Sequence, residues 1–150
     1  MTTPERVRVL FVCVGNACRS PMAEAIARRE AADVMDATSA GLYPLGELAS
    51  QTLDVLVANG YAVDGLSSKY ITSEAVRHAD VIVNMTGRPN DLLRSFHPFG
   101  FTEEQQVEDW EIADPYGEDA GTYQTILEQL ERRVRRLAYK LRSKKRSARV

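Results

Sequence analysis

Apolar residues along this chain fall into blocks of two kinds. Val7–Val12 (VRVLFV) is a nearly continuous β-rich run, as expected of a strand covered on both faces. Asp80–Met85 (DVIVNM) has the same character, and Ala37–Ala40 and Gln106–Glu108 predict two shorter strands. Elsewhere the apolar spacing is helical. One helix is predicted to start at Ser20 as N-cap, with Pro21 at its first position and Glu24 as a first-turn acid, and to run to about Ala32. Leu48–Asn59 is a second, stopped by Gly60. Thr72–His78 and Asn90–Ser95 predict short helices, the latter followed by a loop from about Phe96 to Glu104. The last helix is predicted from Thr122 to about Arg142, with Ile126, Leu130, Val134, Leu137 and Leu141 on one stripe and a frayed tail beyond. Strands alternating with helices imply an α/β fold, a parallel sheet with helices on both faces.

The 150 residues suit one domain, expected to span 1–150. With 44% hydrophobic and 27% charged residues, the chain is neither disordered nor fibrous. No run approaches the length of a membrane-spanning helix, so no membrane insertion is expected. The N-terminal apolar run is too short for an export signal, and a cytoplasmic protein is expected. The net charge of −2 is unevenly spread. Through Glu131 there are nine basic residues against all 21 acids, a net −12, while the last 19 residues hold ten cations and no acid. Such a basic end can attract a polyanion, but the solvated face of a helix explains it more simply, and nucleic acid is not the expected partner.

The segment after the first strand carries chemistry. In Cys13-Val14-Gly15-Asn16-Ala17-Cys18-Arg19-Ser20, the backbone N–H groups of a tight loop converge on an anion, and the loop feeds a helix N-terminus that favours negative charge. Gly15 and Asn16 tolerate the positive φ that such a loop demands. Arg19 adds a planar guanidinium able to grip two oxygens of a phosphate-like group. At the loop's start, Cys13 lies where these groups favour thiolate over thiol, and Ser20 can donate its hydroxyl to that sulfur. A nucleophile beneath a bound oxyanion suits displacement at phosphorus through a covalent thiophosphate. The leaving oxygen needs a proton, and Asp114 in Ala113-Asp114-Pro115-Tyr116-Gly117 is the candidate donor. Cys13 and Cys18 are the only cysteines, and a bridge closing so short a loop would stabilise little, so chemistry accounts for them better.

VLFVCVGNACRSPMAEA, then TSAG, ADVIVNM, and ADPYG before the last helix, resembles the low molecular weight protein tyrosine phosphatases, over about Val7 to Leu141. The resemblance implies a three-layer sandwich built on a twisted four-stranded parallel sheet, with a phosphate-binding loop after strand 1 and phosphorylated proteins as substrates. It implies Cys13 as nucleophile, Arg19 as phosphate clamp, Ser20 as thiolate support and Asn16 as loop prop. Asp114 is implied to be acid in the first step and base in the second. Ser39 is implied to contact Asn16, and Cys18 to be a reversible disulfide partner of Cys13. Within the group, tyrosine-specific members carry a bulky aliphatic residue at Ala17, whereas protein-arginine phosphatases carry a small one. Leu45, with Tyr43 nearby, stands where a wall aromatic is common, and Leu66 stands near the place of a bracing His. Tyr116 can stack on a phenyl ring or a guanidinium. Protein phosphotyrosine is the expected substrate, with phosphoarginine, or arsenate reduction through an external thiol, as alternatives.

His78 and His97 have no ligand at metal spacing, so no metal is expected, and no motif requires another cofactor. Trp110 is expected to plug the core. Asn84-Met85-Thr86 matches a glycosylation pattern but falls in a predicted strand, and is discounted.

Overall fold

The computed structural model describes residues 6–94, 101–102 and 104–148. Four parallel strands form one sheet: β1 (Val7–Cys13), β2 (Met35–Gly41), β3 (Val81–Asn84) and β4 (Gln106–Asp109), in the spatial order β2-β1-β3-β4. Five helices connect or cover them: α1 (Arg19–Glu30), α2 (Ser50–Ala58), α3 (Ser73–His78), α4 (Asn90–Arg94) and α5 (Ala120–Ala148). β1 shows why its run of apolar residues is unbroken. Val9, Phe11 and Cys13 face a core shared with α1, α2 and α5, while Leu10 and Val12 face a second core with Val76 of α3 and Leu93 of α4. The result is the expected three-layer α/β sandwich.

Strand order reverses at β1, with β2 on one side and β3 on the other. In open parallel sheets the crevice at such a reversal, beyond the carboxyl ends of the strands, is where ligands bind. The loop from Cys13 to Arg19 leaves the sheet at that point.

Several boundaries differ from the sequence reading. α1 begins at Arg19 with Cys18 in the N-cap position and no side-chain cap, so Ser20 is not the cap, Pro21 is the third residue and Glu24 lies beyond the first turn. The cause is the Ser20 hydroxyl, which is drawn to Cys13 and Asn16 instead. Pro21 costs no hydrogen bond there, because the first four N–H groups of a helix lack intrahelical partners. β2 is longer than Ala37–Ala40 because it pairs with β1 along its whole length, from Val7↔Met35 to Cys13↔Gly41, while exposed Asp36 and Thr38 break its apolar pattern. Helix α5 runs on to Ala148 rather than fraying after Arg142. Arg142 is the reason, since its guanidinium holds both carboxylate oxygens of Asp33 at 2.8 Å and the Glu30 carbonyl at 2.8 Å. Trp110 is a core plug, 2% exposed and tilted against Phe11 at 5.7 Å. His78 is exposed and touches Arg8, whereas His97, Ser95 and most of the loop expected from Phe96 to Glu104 lie outside the described residues. Among the described residues no helix is long and apolar enough to cross a membrane.

The last residue of β2, Gly41, sits against the loop that follows β1. A Cβ there would lie 2.8 Å from both the Asn16 Cβ and the Val14 carbonyl oxygen. Gly41→Ala is therefore expected to cost about 1–3 kcal/mol, read as a lowered urea midpoint, because backbone on both sides must shift. A second outcome concerns acid. Arg142 holds the Asp33 carboxyl below the ordinary carboxylate value. The pair thus stabilises the fold above the unfolded-state value and stops doing so as pH falls through the lower folded-state value. Arg142→Ala should lower stability by about 1 kcal/mol or less at pH 7, since both side chains are largely solvated. The difference from wild type should narrow as pH falls through the folded-state value, leaving what the Glu30 carbonyl contact contributes, and urea unfolding at pH 7 and in acid checks it.

Candidate active site

The chain after β1 closes into a cup because four of its carbonyls bond to the segments around it. The carbonyls of Cys13 and Val14 accept from the amides of Leu42 and Tyr43, at 3.2 and 2.8 Å. That of Gly15 accepts from the Leu45 amide at 3.1 Å and the Ser68 hydroxyl at 3.0 Å. That of Ala17 accepts from the Ala49 amide at 3.2 Å and the Thr52 hydroxyl at 2.7 Å. A trans peptide sets its N–H opposite its C=O. With the carbonyls outside, the N–H groups of Val14, Gly15, Asn16 and Cys18 turn inward. The uncapped start of α1 adds its dipole to the same space.

Asn16 is the one non-glycine residue with positive φ among those described, at 47°. Its side chain, wholly buried, is held on three sides. Nδ2 donates to Ser20 Oγ at 2.7 Å and to Ser39 Oγ at 3.1 Å, and Oδ1 accepts from the Lys69 amide at 2.8 Å. Ser39 in turn donates to Glu24 Oε1 at 2.6 Å. Glu24 is 1% exposed, and its charge is met by Arg28 and, at 3.9 Å, by Lys69. Ser39 thus contacts Asn16 as expected. The Asn16 side chain is braced on this side by main chain, the amide of Lys69, while Leu66 packs against the core.

Cys13 ends β1 with its sulfur 2.9 Å from Ser20 Oγ. Because Ser20 accepts from Asn16, its own proton is free to point at the sulfur, and toward a thiolate it is the donor of that pair. Arg19 is 7% exposed. One terminal nitrogen, Nη1, is spent on the carbonyls of Met85 at 2.7 Å and Ile112 at 3.1 Å. The other, Nη2, lies 3.7 Å from Asp114 Oδ2, and buried Nε has no hydrogen-bond partner. Asp114 is exposed at the mouth, its Oδ1 fixed by the Tyr116 amide at 3.1 Å. Cys18 is buried with its sulfur 3.3 Å from the Tyr123 hydroxyl, and burial pushes the Cys18 thiol up, toward its protonated form.

These groups line a cavity of about 320 Å³ formed by Cys13, Val14, Gly15, Ala17, Cys18, Arg19, Tyr43, Leu45, Asp114 and Tyr116. Every one was a candidate from sequence. The remaining three candidates, Asn16, Ser20 and Ser39, stand behind the loop as its braces. A second cavity, also of about 320 Å³, opens between β2 and α3, among Arg8, Asp36, Lys69, Tyr70 and His78. It contains no cysteine and no convergent loop amides, so chemistry rather than size separates the two. Sequence reading gave no individual role to Gly41, Thr52, Lys69 or Tyr123, and took Glu24 for a helix-end charge. A run such as Thr-Ser-Ala-Gly at a strand end hints at close approach, but nothing local in the sequence marks Lys69, whose part is played by its backbone.

The model of the low molecular weight phosphotyrosine protein phosphatase family matches residues 8–147. A protein-arginine-phosphatase of Bacillus subtilis is 33% identical over 152 residues, spanning 92% of this chain and 99% of the relative. The low molecular weight protein-tyrosine-phosphatase PtpA of Staphylococcus aureus is 33% identical over 136 residues, 81% of this chain and 87% of its own. Among solved structures, the YwlE arginine phosphatase from Geobacillus stearothermophilus superposes with a TM-score of 0.82 at 28% identity, covering 94% of this chain and 96% of its own. The chain belongs to the low molecular weight phosphotyrosine protein phosphatase family.

Proposed function

We propose that this phosphatase hydrolyses phosphotyrosine in proteins through a cysteinyl-phosphate. The observation that carries the reading is the Arg19 guanidinium. It is anchored by Nη1, its buried Nε lacks a partner, and it shares one cavity with the Cys13 sulfur. The Nε–Nη2 edge is the edge that grips two oxygens of a tetrahedral anion. In the first step the Cys13 thiolate attacks phosphorus, the S–P bond forms, the P–O ester bond breaks, and Asp114 gives its proton to the leaving oxygen. In the second, water attacks phosphorus, Asp114 takes the water's proton, and the S–P bond breaks to release phosphate. Loop amides and Arg19 stabilise the charge that builds on the equatorial oxygens. Ser20 holds the sulfur as thiolate between turnovers.

The walls favour an aryl ester. Tyr43, Leu45 and Tyr116 form an uncharged surround, and Arg88 already lies 5.7 Å from the centre of the Tyr43 ring, so a substrate guanidinium would meet a like charge on that side. Phosphoarginine is the second reading. Ala17 is small and the B. subtilis and G. stearothermophilus relatives bear that activity in their names. Cys18, which lines the same cavity, acts as a reversible disulfide partner of Cys13. A nucleophile that works only when reduced places the protein in the cytoplasm.

Side-by-side kcat/KM values on a phosphotyrosine and a phosphoarginine peptide, with reductant present, should favour phosphotyrosine by tenfold or more. The reverse order makes Ala17 decisive, and cleavage of neither brings arsenate-dependent thiol oxidation forward. Cys13→Ser should abolish turnover while phosphate still binds, as titration calorimetry would show, and residual turnover near wild type would sink the mechanism. Asp114→Asn should slow poor leaving groups by roughly 10²–10⁴-fold and good ones far less, and equal slowing across a series of aryl phosphates would remove Asp114 from the acid role.

A further inference from the structure

The catalytic cavity does not end at its mouth. Leu45 and Tyr116 are 54% and 59% exposed and belong to neither hydrophobic core. Both also line a second depression of about 740 Å³ that continues over the start of α2. The two side chains therefore form a ridge with the cysteine on one side and this groove on the other. Leu48, Ala49, Leu53 and Tyr123 line it together with the polar side chains of Ser50 and Gln51. Glu47 is the one charged residue along it, exposed and without an ion-pair or hydrogen-bond partner among the described residues. Arg88 stacks at Tyr43 and does not line the groove.

We propose that this groove seats the polypeptide next to the phosphorylated residue and selects a basic neighbour, a lysine or arginine. This rests on the reading that the cavity takes a phosphorylated side chain of a protein. Consecutive residues of an extended chain advance about 3.3–3.6 Å, so when one side chain enters the cavity an adjacent one crosses the Leu45–Tyr116 ridge. The methylenes of a lysine or arginine can lie on Leu48 and Leu53 while the charged end reaches Glu47. An acidic neighbour would instead meet Glu47 as a like charge. The competing attraction is the first turn of α2, which has no side-chain cap and favours an anion. Glu47 lies ahead of that turn and opposes the approach of a second negative charge.

The test uses phosphotyrosine peptides that differ only in the residue directly before or after the phosphotyrosine, which is Lys, Ala or Glu. Wild type, Glu47→Gln and Glu47→Lys are compared by kcat/KM. In the wild type, Lys should exceed Glu by about fivefold on one side of the phosphotyrosine, with Ala between, and the gap should shrink in high salt. Glu47→Gln should flatten the series and Glu47→Lys should invert it. A flat series in the wild type, a preference for Glu, or a Lys preference that survives in both variants overturns the proposal. Turnover of p-nitrophenyl phosphate by the wild type separates the two levels. An enzyme active on that ester with a flat peptide series loses only this inference, whereas one inactive on the ester and on every peptide loses the phosphatase reading itself.

Discussion

The site depends on Asn16 staying in a backbone conformation that it would not keep alone. At φ 47° an L-residue gives up roughly 1 kcal/mol against the right-handed region. Three hydrogen bonds of its side chain, donated to Ser20 and Ser39 and accepted from the Lys69 amide, offset that cost, since each is worth about 0.5–1.5 kcal/mol. The conformation reverses the chain between Gly15 and Ala17, so that carbonyls leave on the outside and amides gather within. The same side chain occupies a lone pair of Ser20 and so aims the serine proton at Cys13. One residue thereby shapes the loop's concavity and orients the hydroxyl that faces the Cys13 sulfur.

The charge arrangement follows a related logic. A concavity of inward N–H groups beside an uncapped helix end is electropositive, and Arg19 lies almost fully buried within it. Its burial is tolerated because the carbonyls of Met85 and Ile112 take one nitrogen and the Asp114 carboxylate lies across from another. Behind the loop the signs reverse. Buried Glu24 is set against Arg28 and Lys69, and it fixes the direction of the Ser39 hydroxyl. The front of the loop attracts an anion, and the back is an ion-pair network that keeps the front rigid.

Much of this was legible in the chain because the catalytic segment is contiguous. Cys13 through Ser20 occupies one strand-loop-helix junction, and the reasons for each residue type there are local. Asp114 was legible because an Asp-Pro turn before a long amphipathic helix is distinctive beside such a loop. What escaped was nonlocal. The start of α1 was displaced by two residues because Ser20 had a stronger use than capping, and that use exists only once Asn16 is in place. Helix α5 was read six residues short because its continuation rests on Asp33, 109 positions away. Lys69 acts through its amide, which every residue but proline possesses, so no side-chain pattern could single it out. The brace at Ser39 was accessible only through likeness to similar chains, since a serine in a short strand has no signature of its own.

The contact between the Cys18 sulfur and the Tyr123 hydroxyl joins residues 105 positions apart, one beside the nucleophile and one in the final helix. On the ribosome the cysteine loop is therefore made long before Asp114 and the helix that backs it. The core around Cys13 and Cys18 is completed by Ile126, Leu127, Leu130 and Val134, which emerge later still. A nascent chain carries the cysteine loop through most of this synthesis without Asp114, a closed core or an enclosed cavity. The loop's full backing arrives only with α5, so a product cut short before that helix has the motif without the packing that shapes it.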